Sequence, residues 1–461
     1  MKRKILLTAF LVALALFAGS LITGQRAWTG VFATAALAAA ALYAMSHPAL
    51  KSFAFTIWVF AFVTASMFFP SAFGTWFGTD LKVLITPLIQ VIMFGMGTTL
   101  SARDFGRVLT MPWPILVGVV LQFTVMPLVG WGIATAFGFD AEVAAGIILI
   151  GSVSSGVASN VMSFLAGGNV PLSVTITSCT TLISPFVTPL WMKLLAGRLI
   201  PVNVVEMMMS ILNMIIVPVV AGLAANRILY GRGGKAGDSG KPERQGKAGE
   251  GGGEVGCAGP KGSGALALAG LAAGGLALGL AAIFVSARAL GAFAPLKGGI
   301  VIGCLLIGLA AAARLAATVC FKTEANWMDR ALPSVSMFGI CLIIGIITAR
   351  SRDQLLTVGI VLFGAAILHN AIGYFLGYWG ARAAKLDEAS CRAVAFEVGM
   401  QNGGMASGIA MEVLRSTSAA LAPAIFGPWM NISGSILANW WRRHPVYGGR
   451  TKVKRRKVLI A

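Results

Sequence analysis

The sequence predicts an all-α polytopic membrane protein, and three observations carry this prediction. Hydrophobic residues make up 57% of the 461 residues and charged residues only 11%, and the mean hydropathy is +0.83, well above a soluble domain. About fourteen apolar runs are long enough to cross the ~30 Å hydrocarbon layer, which takes about 20 helical residues. Two of these runs are interrupted by polar residues and glycines, which is typical of the broken helices of inverted-repeat transporters.

The predicted spans follow one another along the chain and are separated by short polar loops. Helices are the expected form, because backbone polar groups in lipid need partners within the segment and the runs lack the alternation of a β-barrel. The approximate limits of the runs are 5–22, 28–45, 52–70, 81–100, 112–137, 141–168, 170–196, 201–226, 265–289, 298–320, 331–349, 355–380, 387–411 and 417–440.

Basic residues collect in loops on one side of the predicted bundle. They are Lys2, Arg3, Lys4, Arg103, Arg107, the loop 227–261, Arg382, Lys385 and the tail 452–457. By the positive-inside rule this side is cytoplasmic, and an even number of spans puts both termini in the cytoplasm of a cell inner (plasma) membrane. Arg350 and Arg352 fall on the opposite side, against this scheme. The first run follows a basic start, as in a signal peptide, but no clear cleavage site follows it.

Charge and cysteine content exclude several function classes. The formal net charge of +20 belongs to these loops and tails, so we expect no nucleic-acid partner. The six cysteines have no CxxC spacing, so neither a zinc site nor a disulfide framework is predicted. Residues 231–264 are dominated by glycine, have no aromatic side chain and lack Walker-type spacing, and we expect them to form a flexible cytoplasmic loop.

Glu397 is a carboxylate set inside an apolar run. A charge at membrane depth costs several kcal/mol, with ~3 kcal/mol as a lower figure, so such a residue usually marks an ion or substrate path. We expect no basic side chain of its own segment to pair with it. The hypothesis is that a bound cation supplies the missing charge and is moved together with a second solute.

The two interrupted runs carry most of the chemistry. The first, GSVSSGVASN, covers residues 151–160, and the second, EVGMQNGGMASG, covers residues 397–408. Carboxylate, amide, hydroxyl and backbone oxygens suit a hard cation such as sodium, and the absence of a His, Cys and carboxylate cluster argues against a transition metal. Ser173 and Thr177 follow four residues apart and hence lie on one helical face. For Thr180, Thr181 and Ser184 we expect bonds to helix carbonyls or neighbouring helices instead.

Four runs together resemble the bile acid:sodium symporter family. They are GVASNVMSFLAGGNVPLSVTITSCTTLISPFVTP, LHNAIGYFLG, EVGMQNGGMASGIA and NISGSILANWW, and the resemblance covers roughly residues 52–226 and 327–441. It implies two five-helix inverted repeats arranged as a panel domain and a core domain, with two crossing broken helices. Here the broken helices would be residues 141–168 and 387–411.

The resemblance also implies two sodium sites and a substrate site. The first sodium site corresponds to Ser159, Asn160, Ser173, Thr177 and Glu397. The second corresponds to Gln122, Glu397 and Gln401 with the backbone carbonyls of Val398 and Met400. Asn402 and Asn431 correspond to residues that face the substrate. From its own surroundings, Gln122 reads only as a polar contact between helices, and His369 reads as a satisfied packing residue.

The chain departs from the family pattern in its pocket and in its architecture. Val157 stands where relatives have Thr, and Met430 stands where some relatives have His, so the pocket differs more than the ion sites. The expected organisation adds two helices before the family core and inserts a loop and a helix pair between its sixth and seventh helices. The parts are two extra N-terminal helices (1–47), the first repeat (48–198), the first helix of the second repeat (199–228), the glycine-rich loop (229–264), an inserted helix pair (265–322), the rest of the second repeat (323–441) and a basic cytoplasmic tail (442–461).

These observations predict a sodium-coupled secondary symporter that imports an organic anion, either bile-acid-like, a steroid conjugate or a small carboxylate. A cation/proton antiporter that uses Glu397 is the alternative, because a buried carboxylate can also titrate. A membrane-embedded enzyme is disfavoured, since no span pairs His or Asp with a nucleophile in a recognisable arrangement. The expected partners are the lipid bilayer and a small organic anion, and the sequence leaves the oligomeric state open.

Overall fold

The computed structural model describes residues 2–47, 50, 53–100, 106–230, 262–286, 290–320 and 328–444. The predicted class is confirmed, because the described chain is an all-α polytopic membrane protein with a single two-stranded hairpin. Most of the glycine-rich loop 229–264, Arg103 and nearly all of the basic tail 442–461 lie outside the described residues.

Within the described residues, ten α-helices precede the glycine-rich loop. They are α1 (Lys2–Ile22), α2 (Arg26–Ser46), α3 (Ala54–Phe68), α4 (Ile85–Gly97), α5 (Pro112–Ala136), α6 (Ala141–Ser152), α7 (Ala158–Leu165), α8 (Val170–Trp191), α9 (Val204–Ile211) and α10 (Val217–Tyr230). A π-helical turn, Leu212–Ile216, joins α9 to α10. The antiparallel strands β1 (Thr75–Trp76) and β2 (Thr79–Asp80) lie between α3 and α4.

Seven α-helices follow the loop in the part of the chain that the structure describes. They are α11 (Gly262–Phe284), α12 (Lys297–Leu315), α13 (Met328–Arg350), α14 (Arg352–Ala383), α15 (Glu388–Gly399), α16 (Gly403–Glu412) and α17 (Thr417–Arg443). Within the described residues, nine helical segments are long and apolar enough to cross a membrane. Each of the predicted runs contains at least one helix, and the runs 141–168 and 387–411 each contain two.

The two broken runs unwind where they cross each other. Ser155 and Gln401 form an isolated antiparallel bridge, Gly156 N–H donates to the Met400 carbonyl (2.8 Å) and Asn402 N–H donates to the Ser154 carbonyl (2.9 Å). Unwound backbone at membrane depth needs such partners, and each break supplies them to the other. A Cβ atom on Gly156 would lie 2.8 Å from the Gln401 carbonyl oxygen, so glycine permits this close approach.

The helices pack as two groups. In the scaffold group, which we define as α3, α4, α9, α10 and α13, α13 packs on α3 and α4, and α4 packs on α10. In the crossing group, which we define as α5–α8 and α14–α17, α14 packs on α5, α15 and α17, and α6 packs on α5 and α17. The N-terminal pair, α1 and α2, joins the bundle through α3.

The inserted pair, α11 and α12, packs on the scaffold group through α10 and α4. Its two helices approach closely at small residues, since a Cβ atom on Gly275 would lie 2.8 Å from Gly308 Cα. Gly299 N–H donates to Asn213 Oδ1 (2.7 Å), and Gln90 donates to the Asn213 carbonyl (3.2 Å). A buried polar joint therefore ties α12 to α4 and to the π-helical turn.

Contacts between helix termini define two ends of the bundle. At one end Asn226 of α10 donates to the carbonyls of Thr98 and Leu100 after α4 (2.8 Å each), and Trp113 of α5 donates to the Ala384 carbonyl after α14 (3.1 Å). We call this the basic end, since it carries Arg107, Arg227 and Arg382. The other, called the opposite end, carries Asp80, Glu142, Glu412 and Arg415.

Arg350 lies at the opposite end, where the charge pattern of the loops did not favour a basic residue. Its guanidinium forms an ion pair with Asp80, the last residue of β2. The Lys82 N–H hydrogen bond and the Arg350 charge together hold the pKa of the Asp80 carboxyl below its usual range. Arg350 is thus matched by a carboxylate, which explains its departure from the basic side.

Candidate functional site

Glu397 lies in α15, close to the crossing, and is fully buried. Four hydroxyl groups donate hydrogen bonds to its carboxylate: those of Ser155 (2.6 Å), Ser159 (2.5 Å), Ser173 and Thr177 (2.8 Å). Hydrogen bonds to a carboxylate stabilise its charge only in part, because neutral hydroxyls bring no counter-charge. The site therefore holds a buried carboxylate whose hydrogen-bond partners among the described residues are all hydroxyl groups.

The local structure explains why these hydroxyls converge. Ser173 and Thr177 lie one helical turn apart on α8, and Ser159 lies in the first turn of α7, directly after the break. Asn160 completes the group, since its Oδ1 accepts from Ser173 (2.8 Å) and from Thr177 (3.3 Å). The structure thus brings together all the residues assigned to the first site.

Ser155 is a member of this cluster that the assignment of the first site omitted. It belongs to the first interrupted run, and its hydroxyl also lies 3.2 Å from the Thr180 hydroxyl. Its place in the unwound segment, rather than in a helix, meant that no helical spacing related it to Glu397. Thr181 and Ser184 do donate to helix carbonyls, as expected, and Thr180 does so as well as contacting Ser155.

Arg392 lies five residues before Glu397 in α15 and is a basic residue of the same segment, but it does not pair with Glu397. Arg392 Nε donates to Glu388 (2.9 Å), and its Nη1 donates to the carbonyl of Ala166 (2.8 Å). No Lys or Arg contacts the Glu397 carboxylate among the residues that the structure describes. A basic side chain does occupy the same helix, but its partners lie elsewhere.

A second polar cluster lies on the other side of the crossing. Gln122 Nε2 donates to the Val153 carbonyl (2.9 Å) and to Gln401 Oε1 (2.5 Å), and Gln401 Nε2 donates to the Val398 carbonyl (2.6 Å). Gln122 Oε1 is buried and has no hydrogen-bond partner within the described part of the chain. Gln122, Gln401 and the Val398 carbonyl of the second site therefore meet, and Gln122 Oε1 lacks a donor among the described residues. The other two groups assigned to this site bond elsewhere: the Glu397 carboxylate accepts from the four hydroxyls of the first cluster, and the Met400 carbonyl accepts from Gly156 N–H.

Asn402 and Asn431 line one cavity of about 460 Å³ between the two helix groups. Asn402 caps α16, with its Oδ1 accepting from Met405 N–H (3.0 Å), while its Nδ2 is buried without a partner among the described residues. Asn431 Nδ2 donates to the Gly427 carbonyl of its own helix (2.9 Å). Val157 and Met430, the two departures from the family pattern, line the same cavity.

The remaining cavity lining is mainly apolar and comes from both helix groups, and its scaffold-group part lies toward the basic end. It includes Phe55 at the start of α3, Met96 and Thr99 at the end of α4, and Ser336 and Met337 near the start of α13. No Lys, Arg, Asp or Glu lines this cavity within the described residues. The space therefore suits a ligand with a sizeable apolar part.

Asn370 and His369 in the LHN run have different surroundings. Asn370 Nδ2 donates to the Gly399 carbonyl (2.6 Å) at the unwound end of α15, and Ser433 donates to Asn370 Oδ1. Asn370 thus supports the break, a role that its sequence context did not reveal. His369 is fully buried against Phe426, and neither ring nitrogen has a hydrogen-bond partner among the described residues, so its expected satisfied state is not observed.

The site contains no obvious transition-metal centre within the described chain, where no group of three or more His, Cys, Asp and Glu side chains could hold a metal ion. The oxygens that do converge belong to hydroxyls, side-chain amides, one carboxylate and backbone carbonyls. Such donors match the preference of hard cations.

Comparison with known proteins identifies the family. A family model described as "Sodium Bile acid symporter family" matches residues 86–232. The chain is 33% identical over 399 residues to the "Uncharacterized sodium-dependent transporter YocS" of Bacillus subtilis (strain 168), covering 87% of this chain and 93% of that protein.

Plant proteins are also similar to this chain. The "Probable sodium/metabolite cotransporter BASS1, chloroplastic" of Arabidopsis thaliana is 24% identical over 392 residues, which cover 85% of this chain and 74% of that protein. The "Probable sodium/metabolite cotransporter BASS2, chloroplastic" of Oryza sativa subsp. japonica is 36% identical over 172 residues, 37% of this chain and 40% of that protein. With its polytopic fold and its similarity along most of the bacterial relative, the chain belongs to the sodium bile acid symporter family and is a membrane transporter rather than an enzyme.

Proposed function

We propose that the protein is a sodium-coupled symporter that imports an organic anion by alternating access. The observation that carries this proposal is the Glu397 carboxylate, fully buried where two broken helices cross and bonded only to neutral hydroxyls among the described residues. A buried charge without a counter-charge costs several kcal/mol. A transported cation would supply that charge, and the family membership and the names of the relatives point to sodium.

The first sodium site in this proposal comprises Ser159, Asn160, Ser173, Thr177 and Glu397. The hydroxyls now direct their hydrogens at the carboxylate, and rotation of each O–H would turn oxygen lone pairs toward a cation instead. The carboxylate and the amide oxygen then complete an all-oxygen set. Because these residues come from α7, α8 and α15, sodium would tie the two broken runs together.

The second sodium site in this proposal comprises Gln122, Gln401, Glu397 and the carbonyls of Val398 and Met400. The buried Gln122 Oε1 supports it, because an acceptor without a donor is costly unless another partner is present. A cation beside that oxygen would remove the cost. Glu397 belongs to the first cluster, and Val398 of the second cluster follows it directly in α15. Glu397 would therefore contribute charge to both sites.

The substrate would bind at Asn402 and Asn431 in the cavity of about 460 Å³. The buried Nδ2 of Asn402 has no partner among the described residues and can donate to a carboxylate. Asn402 also caps α16, and Val157 precedes α7, so the positive ends of two helices lie at this part of the lining. The apolar lining would accept the hydrocarbon part of a bile-acid-like, steroid or smaller carboxylate.

Transport would follow from movement of the core domain against the panel domain. The crossing group corresponds to the expected core, and the scaffold group corresponds to the panel. The repeats would be residues 48–198 and residues 199–228 with 323–441. In a plasma membrane, with both termini cytoplasmic, sodium binding would organise the crossing and so favour anion binding in the adjacent cavity.

Sodium-dependent uptake into proteoliposomes and thermal stability of the purified protein together test the proposal. A carboxylate library screened by thermal shift, with sodium against equal potassium, would identify the anion. At a concentration 100-fold above Kd, a ligand that binds only the folded state stabilises it by about 2.7 kcal/mol. Glu397→Ala and Gln401→Ala should abolish sodium-dependent uptake while the protein stays folded. Normal sodium dependence in both variants would refute the proposal.

Cation/proton antiport is the second candidate, because Glu397 is one buried carboxyl group and carboxyl groups can carry protons across a membrane. It predicts exchange driven by a pH gradient with no organic solute present. Proteoliposomes loaded with a pH-sensitive dye would detect such exchange. Exchange that requires a carboxylate solute favours symport instead.

A further inference from the structure

The two helix groups meet differently at the two ends of the bundle. In the half near the basic end they are separated by the cavity that Phe55, Thr99 and Ser336 line. In the half near the opposite end α16 packs directly on α4 and on the π-helical turn. Gly408 is buried there, and a Cβ atom on it would lie 3.2 Å from Met214 Sδ and would overlap the side chain of Ile89. The bundle is therefore closed at its opposite end.

A polar contact lies at the outer edge of this closed interface. Thr86 Oγ1 of α4 donates to Glu412 Oε2, the last residue of α16, over 2.8 Å. Both residues are half-buried. Ser210 of α9 lies close to the same carboxylate and is buried without another hydrogen-bond partner among the described residues. One carboxylate of the crossing group thus faces hydroxyls from two helices of the scaffold group.

We propose that Glu412 and Thr86 form a latch that holds the transporter closed at its opposite end and must open for substrate to enter from that side. This inference rests on the proposed alternating access. Movement of α16 away from α4 would separate the two side chains. Because both side chains are polar and lie near the surface, water can replace their hydrogen bond when it breaks. Breaking it therefore costs less than breaking a hydrogen bond between fully buried side chains.

A second contact between the groups provides a matched control. Arg415, after α16, pairs with Glu206 of α9 over 3.4 Å, but the two side chains are 79% and 47% exposed. Water screens such a pair strongly. The latch should therefore depend on Glu412 and Thr86 and hardly on Arg415.

The test measures which end of the bundle is open, in sodium-free membranes, with cysteine reporters in a background that lacks the six native cysteines. Ser336→Cys reports on the cavity at the basic end, and Met214→Cys reports on the interface under α16. Inside-out and right-side-out vesicles are treated with a membrane-impermeant thiol reagent. Glu412→Ala and Thr86→Val should each slow labelling at Ser336→Cys and speed labelling at Met214→Cys. The expected change is about tenfold, as for loss of a hydrogen bond to a charged group.

Thr86→Ser keeps the hydroxyl and should label like the parent, and Arg415→Ala should change either rate less than twofold. Unchanged rates at both reporters in folded Thr86→Val would overturn the latch, even where Glu412→Ala fails to fold. The readout needs neither sodium nor a substrate. A failed latch test therefore leaves the symport proposal standing, and loss of sodium dependence in Glu397→Ala is measured separately.

Discussion

Two buried charges lie five residues apart on α15 and have opposite surroundings. Arg392, 4% exposed, bonds to the Glu388 carboxylate and to three backbone carbonyls, those of Ala166, Trp441 and His444, and its guanidinium lies 5.5 Å from the Trp441 ring centre. Glu397 has four hydroxyl partners and no positive one among the described residues.

The difference indicates that Arg392 stabilises the fold, whereas Glu397 is available for the proposed binding of a cation. The carbonyls around Arg392 close the C-terminal ends of α7 and α17, where the helix dipole favours a cation, so its neutralisation is built into the fold. The hydroxyls around Glu397 bring no counter-charge, so on the proposed mechanism a transported cation supplies it. The comparison predicts that removing the charge of Arg392 lowers the stability of the protein, whereas removing the charge of Glu397 does not.

Arg392→Met should have the largest effect. The change removes the charged donor of Glu388 Oε1 and of the Ala166 and His444 carbonyls, and breaking a buried charge pair costs roughly 3–5 kcal/mol. We expect a marked loss of folded protein, measured by size-exclusion chromatography and thermal unfolding in detergent. Arg382→Ala is the matched control, because Arg382 also faces Glu388 (3.6 Å) but is 53% exposed, and it should cost less than about 1 kcal/mol. Equal melting temperatures for Arg392→Met and the parent would contradict a structural role.

Glu397→Gln should leave sodium-free stability unchanged or raise it. The amide keeps the shape and an acceptor oxygen, and it removes a buried charge that lacks a counter-charge. The stabilisation by sodium, about 2.7 kcal/mol at 100-fold Kd, should disappear. Melting temperatures in sodium and in potassium measure both effects. A variant that melts well below the parent in potassium would show that the charge is structural, like Arg392.

Ser173→Ala and Thr177→Val should have a smaller, purely ligand-dependent effect. Each removes one hydroxyl from the Glu397 cluster, and we expect sodium affinity to fall about tenfold, which corresponds to about 1.4 kcal/mol. Sodium titrations followed by melting temperature give the affinities. Thr181→Val is the control on the same helix, since its hydroxyl bonds the Thr177 carbonyl (2.7 Å), and it should bind sodium like the parent. An equal loss of sodium affinity in all three variants would indicate that the substitutions disturb α8 as a whole and do not remove specific ligands.

Asp80→Asn should have the smallest effect, since this charge lies at the end of β2 and has fixed partners like Arg392 but is partly exposed to water. The Lys82 N–H bond and Arg350 hold the pKa of Asp80 below its usual value. Its contribution is therefore present above the pKa of the unfolded chain, about 3.9, and is lost as pH falls through the folded-state pKa. The variant should be less stable by under about 1 kcal/mol at pH 7, and the difference should shrink as pH falls through the folded-state pKa of Asp80. A difference that grows on acidification would have the wrong sign.

Much of the architecture could be predicted because the bilayer constrains it. Apolar length fixed the spans, and polar and glycine-rich runs marked the breaks now seen between α6 and α7 and between α15 and α16. Helical spacing related Ser173 to Thr177. The assignment of the family's site residues to this chain, and the division into repeats, remain predictions.

Other features depend on contacts between residues far apart in the chain, which spacing cannot reveal. Asn370 bonding the unwound end of α15, and Asn213 holding the inserted pair, are two such cases.

Hydropathy and local periodicity are properties of single segments, so the amino-acid sequence alone established a polytopic α-helical membrane protein with an acidic residue in a broken segment. Which buried charge the protein itself neutralises depends on how the helices pack. Arg392 and Glu397 both read as charges in an apolar helix. Their difference arises from the carbonyls of α7 and α17 on one side and the hydroxyls of α7 and α8 on the other, and those groups meet only when distant helices pack.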